Sequence, residues 1–199
     1  LFLAPPAHSP DWDTQVPRSA AQALSLWQGQ VEYYRRLAGE QPDMFRLVAD
    51  RRGLADLFRL WEEGPADLDA QPPRTHPTGL LFLMEGAEAI GSPRDLEEWW
   101  QAGVRLVGPV WAGDRFCGGT YNPQGSFSRE GYELLEVMAG LGMGLDLSHM
   151  NEKSALQALE RYEGPILATH ANVRAILRQP GNERHLTDQT IRRLVERGG

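Results

Sequence analysis

The chain has 199 residues, of which 41% are hydrophobic and 24% charged, with one cysteine and a formal net charge of −7. That length suffices for one domain with a sizeable core, and the near-average composition excludes a disordered tail, a collagen-like fibre and a coiled coil. The acidic balance argues against a nucleic-acid surface, which is normally basic, and the lone Cys117 can form no internal disulfide.

The chain opens on Leu1-Phe2-Leu3-Ala4-Pro5-Pro6, with no initiator methionine, no basic n-region and no apolar run of signal-peptide length. It reads as an internal segment of something longer. The best apolar run, residues 79–84, falls far short of the roughly 18 residues of a spanning helix, so a soluble, cytoplasmic protein without a membrane segment is expected.

Residues 1–3 can form a strand end, followed by a Pro-rich loop through Pro17. Ser19 is placed to cap a helix over residues 20–38, with Ala23, Leu24, Leu26, Trp27, Val31, Tyr34 and Leu37 broadly on one face. Phe45, Leu47 and Val48 suggest a short extended piece. Asp50 precedes a second amphipathic helix carrying Leu54, Leu57, Phe58, Leu60 and Trp61, which Gly64-Pro65 stops. Residues 67–78, with Pro72, Pro73 and Pro77, read as loop.

From there the rhythm is regular. A strand over 79–84 is followed by a helix from Ser92-Pro93 to about Ala102, then a strand over 104–110 and a Gly-rich loop over 112–125. A helix from Ser128 to about Leu141 leads to a strand over 142–147. Asn151 caps a helix to about Tyr162, 165–168 is a short strand, and Thr187 caps a last helix with Ile191, Leu194 and Val195 on its apolar side. The Trp99-Trp100 pair reads as packing with one ring left partly exposed, and that ring is the candidate for a homodimer contact.

Apolar strands alternating with helices indicate an α/β protein with a parallel sheet. A doubly wound sheet would advertise a Gly-rich phosphate turn after its first strand, and neither GxGxxG nor GxxxxGK[ST] occurs. The glycines of Gly140, Gly142 and Gly144 precede a strand, as a helix stop does. A (β/α)8 TIM-type barrel remains, incomplete in this chain because such a barrel takes about 250 residues and eight strands. Residues 1–199 are accordingly expected to be a single partial barrel domain.

A barrel places its chemistry at the C-terminal ends of its strands. Glu85 follows the 79–84 strand directly, Ser148 and His149 follow the 142–147 strand, and Thr169 and His170 follow the 165–168 strand. One carboxylate and two imidazoles on one rim form a zinc-compatible ligand set. A lone histidine at a strand end is commonly a satisfied structural residue; a carboxylate at the edge of a core is more telling, because it costs several kcal/mol unless paired or metal-bound. His8 and His76 lie in Pro-rich loops and read as solvated, and His185 sits in a loop before the last helix.

In order, Met84-Glu85-Gly86-Ala87-Glu88-Ala89-Ile90, Gly103-Val104-Arg105-Leu106-Val107, Gly142-Met143-Gly144-Leu145-Asp146-Leu147-Ser148-His149, Pro165-Ile166-Leu167-Ala168-Thr169-His170-Ala171-Asn172 and Arg184-His185-Leu186-Thr187-Asp188 resemble the membrane dipeptidase (renal dipeptidase) family of zinc metallopeptidases. The resemblance runs from about Leu80 onward. It implies an amidohydrolase-type barrel with two zinc ions, Glu85 bridging them and His149 and His170 completing the second ion's protein ligands. Arg184 corresponds to the arginine that holds the substrate's terminal carboxylate, work suited to a planar, permanently charged fork. The activity so implied is hydrolysis of a dipeptide's peptide bond by a metal-bridged hydroxide.

The chain also departs from that pattern. The family's first-strand His-x-Asp pair and the catalytic acid/base aspartate of its last strand are not in it, and His8 lacks the following Asp. Where the family commonly places a substrate-contacting His after the strand that corresponds to 104–110, this sequence has Trp111, with Asp114 as an alternative polar contact in the loop beyond. A tryptophan offers only its one N–H. The competing expectation is therefore a non-catalytic barrel that binds a small ligand, or an amidase or lactonase on the same scaffold. Arg184 can alternatively be read as part of a solvated cluster with Arg174, Arg178, Arg192 and Arg193.

Overall fold

Short polar side chains close most of the helix starts in the computed structural model, which describes residues 17, 19–62, 67, 69, 76–111, 115–177 and 181–199. Helix α1 (Ala20–Glu40) is capped by Ser19, whose side chain accepts from the Gln22 amide. Ser128 accepts from the Gly131 amide at the start of α4 (Arg129–Gly140), Asn151 from Ser154 at the start of α5 (Glu152–Arg161), and Thr187 from Thr190 at the start of α6 (Asp188–Glu196). Each cap supplies an acceptor to an amide that has no partner within the helix. Helix α2 (Arg51–Glu62) begins with the Gly53 amide on the Asp50 carboxylate, and α3 (Leu96–Gln101) follows a single 3-10 turn, Pro93–Asp95.

The strands of the described residues are short and all parallel. Strand β1 (Phe45–Leu47) pairs with β2 (Thr78–Leu80), and β3 (Phe82–Glu85), β4 (Val104–Gly108), β5 (Gly144–Asp146) and β6 (Ile166–Leu167) form a second sheet in that order. The predicted strand over 79–84 is thus two pieces separated by Leu81: the first half bonds to β1 on one side, the second half to β4 on the other. Register between β3 and β4 also shifts between Phe82 and Leu83. With β2 and β3 counted as the one strand that Leu81 interrupts, neighbours in sequence are neighbours in space among the described residues, with no reversal of strand order and a helix in each connection. A singly wound order is what a barrel requires, whereas a doubly wound sheet reverses at its switch point.

The core lies between the β3–β6 sheet and the helices over it. Phe82, Met84, Val104, Val107, Leu145 and Leu147 are buried with Leu134 and Met138 of α4 and Ala155, Ala158 and Leu159 of α5, and Trp27 of α1 meets Trp99 of α3 edge to face at 6.1 Å. Tyr162 is buried with its hydroxyl donating to the Met143 carbonyl at 2.5 Å, and burial pushes its pKa up to about 12. Of the Trp99-Trp100 pair, Trp99 is buried, while the Trp100 ring lies under the Arg105 guanidinium at 4.5 Å.

Where the amphipathic reading of α2 expects one buried face, only Leu57 is buried; Leu54, Phe58 and Trp61 are exposed, as is Leu81 at the strand break. His76, read as solvated, stacks on Trp61 with ring centroids 4.8 Å apart. The expected strand over 1–3, His8, Asp114 and Arg178 lie outside the described residues.

One contact fixes how α4 docks. A Cβ at Gly131 would lie 1.9 Å from the Phe116 carbonyl oxygen, a backbone atom that cannot swing aside. Gly131→Ala is expected to destabilise the protein by about 3 kcal/mol, at the upper end for overpacking, as measured by urea denaturation; an unchanged midpoint would show that the helix start can shift.

Candidate metal centre

The C-terminal ends of β3, β5 and β6 bring Glu85, His149 and His170 together. The Nε2 atoms of both histidines converge on one oxygen of Glu85, His149 at 2.9 Å and His170 at 2.7 Å. One ligand atom from each residue lies within 4.8 Å of the others, and the two imidazoles are 5.2 Å apart between centroids. Glu85 and His149 are largely withdrawn from solvent, and His170 is more open.

The electrostatics follow from that arrangement. Burial pushes the Glu85 pKa up, but the His149 and His170 rings more than offset it, and the carboxyl sits below its ordinary value. Burial pushes His149 down, and the Arg184 and His170 charges add to this against the pull of Glu85. A neutral imidazole is the form that ligates a metal. An imidazole lone pair and a carboxylate oxygen are both acceptors, so two ring nitrogens can approach one carboxylate oxygen this closely only with a proton or a cation between them. The donor set and its spacing fit a metal ion.

Local backbone geometry aims the candidate ligands. His149 has φ 69°, the only positive φ of a non-glycine among the described residues, a conformation that costs free energy and persists only where the surroundings enforce it. Its carbonyl accepts from the Thr120 amide at 2.9 Å, and the following Asn151 amide donates to the Gly118 carbonyl at 3.2 Å. The Asn151 side chain holds the same loop through the Asn122 and Gly125 carbonyls.

Asp146, which sequence reasoning left unassigned, joins the other two strand ends. It is 1% exposed, and its Oδ1 accepts from the Ser148 and Thr169 amides, each at 3.0 Å. Its Oδ2 lies 2.5 Å from the Thr169 hydroxyl, which in turn lies 2.6 Å from His170 Nδ1. The only available signal was a carboxylate inside an apolar strand, a placement that demands donors.

Trp111 stands beside the cluster, its ring 5.6 Å from His149 and 6.0 Å from Tyr121. Tyr121 was not singled out in the sequence. Arg184 donates through Nη2 to the His170 carbonyl at 2.8 Å, and its buried Nη1 has no hydrogen-bond partner among the described residues. Burial lowers its pKa, with Glu85 and Asp146 pulling the other way. Arg184 therefore belongs with the cluster, whereas Arg174 is taken up by Glu183 at 3.2 Å and by the Glu152 carboxylate at 3.8 Å. Glu183 also accepts from the first amide of α5 at 2.8 Å, which ties the Arg184 loop to that helix.

The sequence profile of the membrane dipeptidase family, peptidase family M19, matches residues 8–199. The chain belongs to this family. It is 37% identical over 132 residues to an uncharacterised protein in the pqqA 5′ region of Klebsiella pneumoniae, covering 60% of this chain and 46% of that protein. Among solved structures, a metallopeptidase from Rhodobacter sphaeroides, liganded with a phosphinate mimic of the dipeptide L-Ala-D-Ala, superimposes with a TM-score of 0.73 at 26% identity, covering 91% of this chain and 49% of that one. A probable dipeptidase from Pseudomonas aeruginosa, PvdM, shares the fold with a TM-score of 0.75 at 20% identity, over 90% of this chain and 43% of its own. The chain thus spans less than half the length of these relatives. Its strands are a consecutive run of the TIM-type barrel, and no helix of the described residues is long and apolar enough to cross a membrane.

Proposed function

We propose that the protein containing this chain is a zinc-dependent dipeptidase, with Glu85, His149 and His170 as metal ligands and Arg184 and Trp111 bordering the substrate. The observation that carries the proposal is the convergence of two imidazole Nε2 atoms on one Glu85 oxygen, an arrangement of acceptors that a cation resolves. Two zinc ions, bridged by Glu85, are proposed by likeness to the family, with the remaining ligands and the acid/base aspartate supplied outside this chain. When bound, such ions lower the pKa of water and polarise a carbonyl.

The chain's own residues do the rest. Glu85 supplies a carboxylate held below its ordinary pKa and so ionised at neutral pH. The loop contacts on the His149 carbonyl and the Arg184 contact on the His170 carbonyl fix the two imidazoles. Arg184 Nη1, which has no hydrogen-bond partner among the described residues, supports the reading that this guanidinium receives a substrate carboxylate. Asp114 remains proposed as a polar contact on sequence grounds alone.

Trp111 favours a second reading, an altered substrate: a ring that can only donate one N–H replaces an imidazole, beside the Tyr121 ring. Both readings are separated by elemental analysis and by assaying a panel of L,L and L,D dipeptides, N-acyl amino acids and lactones with the metal-loaded full protein. About two zinc equivalents per subunit and dipeptide turnover are expected. Full activity in metal-free protein would overturn the proposal; hydrolysis confined to acyl amides or lactones would establish the second reading, and binding without hydrolysis a non-catalytic barrel.

A further inference from the structure

The loop between β4 and α4 is fastened to the strand end that carries His149, and the fastenings bracket one residue. Gly119 forms an antiparallel bridge with Met150, and the Thr120 amide donates to the His149 carbonyl at 2.9 Å. On the other side, the Asn151 side chain donates to the Asn122 and Gly125 carbonyls at 2.7 and 3.0 Å. The neck of the loop is closed too: a Cβ at Gly118 would lie 2.5 Å from the Gly125 carbonyl carbon, so backbone meets backbone there. Tyr121 sits between these anchors, yet it is 54% exposed. A compact loop with pinned ends holds such a ring ready for a ligand at little further entropic cost.

The ring is one of a row. Tyr121 lies 6.0 Å from Trp111 between centroids, and Trp111 lies 5.6 Å from His149. Exposure rises along the row, from buried His149 through half-buried Trp111 to exposed Tyr121, so the row leads outward from the Glu85, His149 and His170 cluster. Both end rings lie within electrostatic reach of the Arg184 guanidinium, which therefore borders the same space.

The geometry points to Trp111 and Tyr121 as specificity-determining residues, an aromatic wall that takes a large apolar side chain on the C-terminal residue of the dipeptide. The inference rests on the proposal that the cluster holds the metal and Arg184 receives the substrate carboxylate, and it names the part of the substrate that is selected. The reacting carbonyl goes to the cluster, beside His149, and the terminal carboxylate goes to Arg184. By its covalent structure the C-terminal residue spans those two points, and its side chain leaves from between them. Indole and phenol rings present apolar faces with their polar atoms at the edge, so they favour an aliphatic or aromatic side chain over a hydrogen or a methyl. A closed hydrophobic pocket separates substrates that differ by one methylene by about 10- to 200-fold, and a wall open on one side is expected to give about 10-fold for a whole side chain.

The test uses the full, metal-loaded protein. Values of kcat/KM are measured for dipeptides with N-terminal alanine and C-terminal glycine, alanine, leucine or phenylalanine, in the L,L and L,D series. The wild type should favour the leucine and phenylalanine substrates over alanylglycine by about 10-fold. Tyr121→Ala should remove most of that preference, lowering the large substrates more than alanylglycine, whereas damage to the metal site would lower all of them alike. Tyr121→Phe should keep the preference, because the ring remains. Melting temperatures establish folding, and should Tyr121→Ala fail to fold, Tyr121→Gln, which keeps a long side chain without the ring, takes its place. Phosphinate analogues of alanylglycine and alanylphenylalanine, titrated by calorimetry, read the same preference without turnover. A wild type indifferent to the C-terminal side chain, or a Tyr121→Ala protein that keeps the wild-type ratio, would overturn the inference. Loss of the ratio in Tyr121→Phe would overturn it as well, by assigning the effect to the hydroxyl. Analogue binding that shows the preference in a protein that hydrolyses no dipeptide would instead overturn the dipeptidase proposal and leave the wall standing, and binding of neither analogue would overturn both.

Discussion

Glu85→Gln is expected to lower zinc affinity by about 100-fold or more, which is about 2.7 kcal/mol at about 1.36 kcal/mol per tenfold, and to lower turnover in parallel. The substitution is nearly isosteric, so the effect isolates the charge on which both Nε2 atoms converge. It also yields a contrast that a merely destabilising mutation could not. In the metal-free protein the introduced amide brings an NH2 that can donate to an imidazole lone pair, so the melting temperature should equal or exceed that of the wild type. Added zinc separates the two proteins. At a free concentration of about 100 times the wild-type Kd, binding stabilises the wild type by about 2.7 kcal/mol, whereas a variant 100-fold weaker gains only about 0.4 kcal/mol. Calorimetric melting with and without zinc measures both quantities. A variant that holds zinc like the wild type would remove Glu85 from the ligand set.

Glu85 was legible in the sequence for the same physical reason that makes it sensitive. A carboxylate directly after an apolar strand has to be compensated, and two further strands of the same rhythm end in His149 and His170. Helix starts were legible because capping is local: Ser19, Asn151 and Thr187 each bond an amide three residues on. The parallel, singly wound order followed from the alternation of elements. The strand break at Leu81 did not, because it depends on the strand having different partners on its two edges, β1 and β4. The open face of α2 is likewise a tertiary fact: periodicity marks Leu54, Phe58 and Trp61 as an apolar stripe without saying what covers it.

Within the site, the missing information was directional. The positive φ of His149 has no mark in the sequence, since histidine adopts it only when its neighbours enforce it, here Thr120 on its carbonyl. Asp146 could face either way until the register of β5 against β6 was known. Once it is known, a residue with no assigned part becomes the acceptor that gathers the Ser148 and Thr169 amides at the ends of two strands. Arg184 could not be separated from the nearby arginines by composition, but Glu183 and Glu152 engage Arg174 and leave Arg184 to face the cluster.

That separation sets up the second large effect. Arg184 spends Nη2 on the His170 carbonyl and keeps a buried Nη1 that has no hydrogen-bond partner among the described residues. A guanidinium can do both at once because its donors form a rigid fork; a lysine ammonium is a single point on a flexible stem. Arg184→Lys is therefore expected to lower kcat/KM for dipeptides with a free C-terminal carboxylate by about 100-fold, about 2.7 kcal/mol, within the range for truncating one partner of a buried charge pair. Dipeptide amides lack the carboxylate, so their slower hydrolysis should change little. Zinc affinity should be nearly retained, because His170 is also held by the Ser148 hydroxyl and by Thr169. Comparing the two substrate classes in one metal-loaded preparation distinguishes carboxylate recognition from support of His170. Equal losses on acid and amide would assign Arg184 to holding the metal ligand alone, and an unchanged kcat/KM on both would return it to the solvated arginines of the surrounding loop.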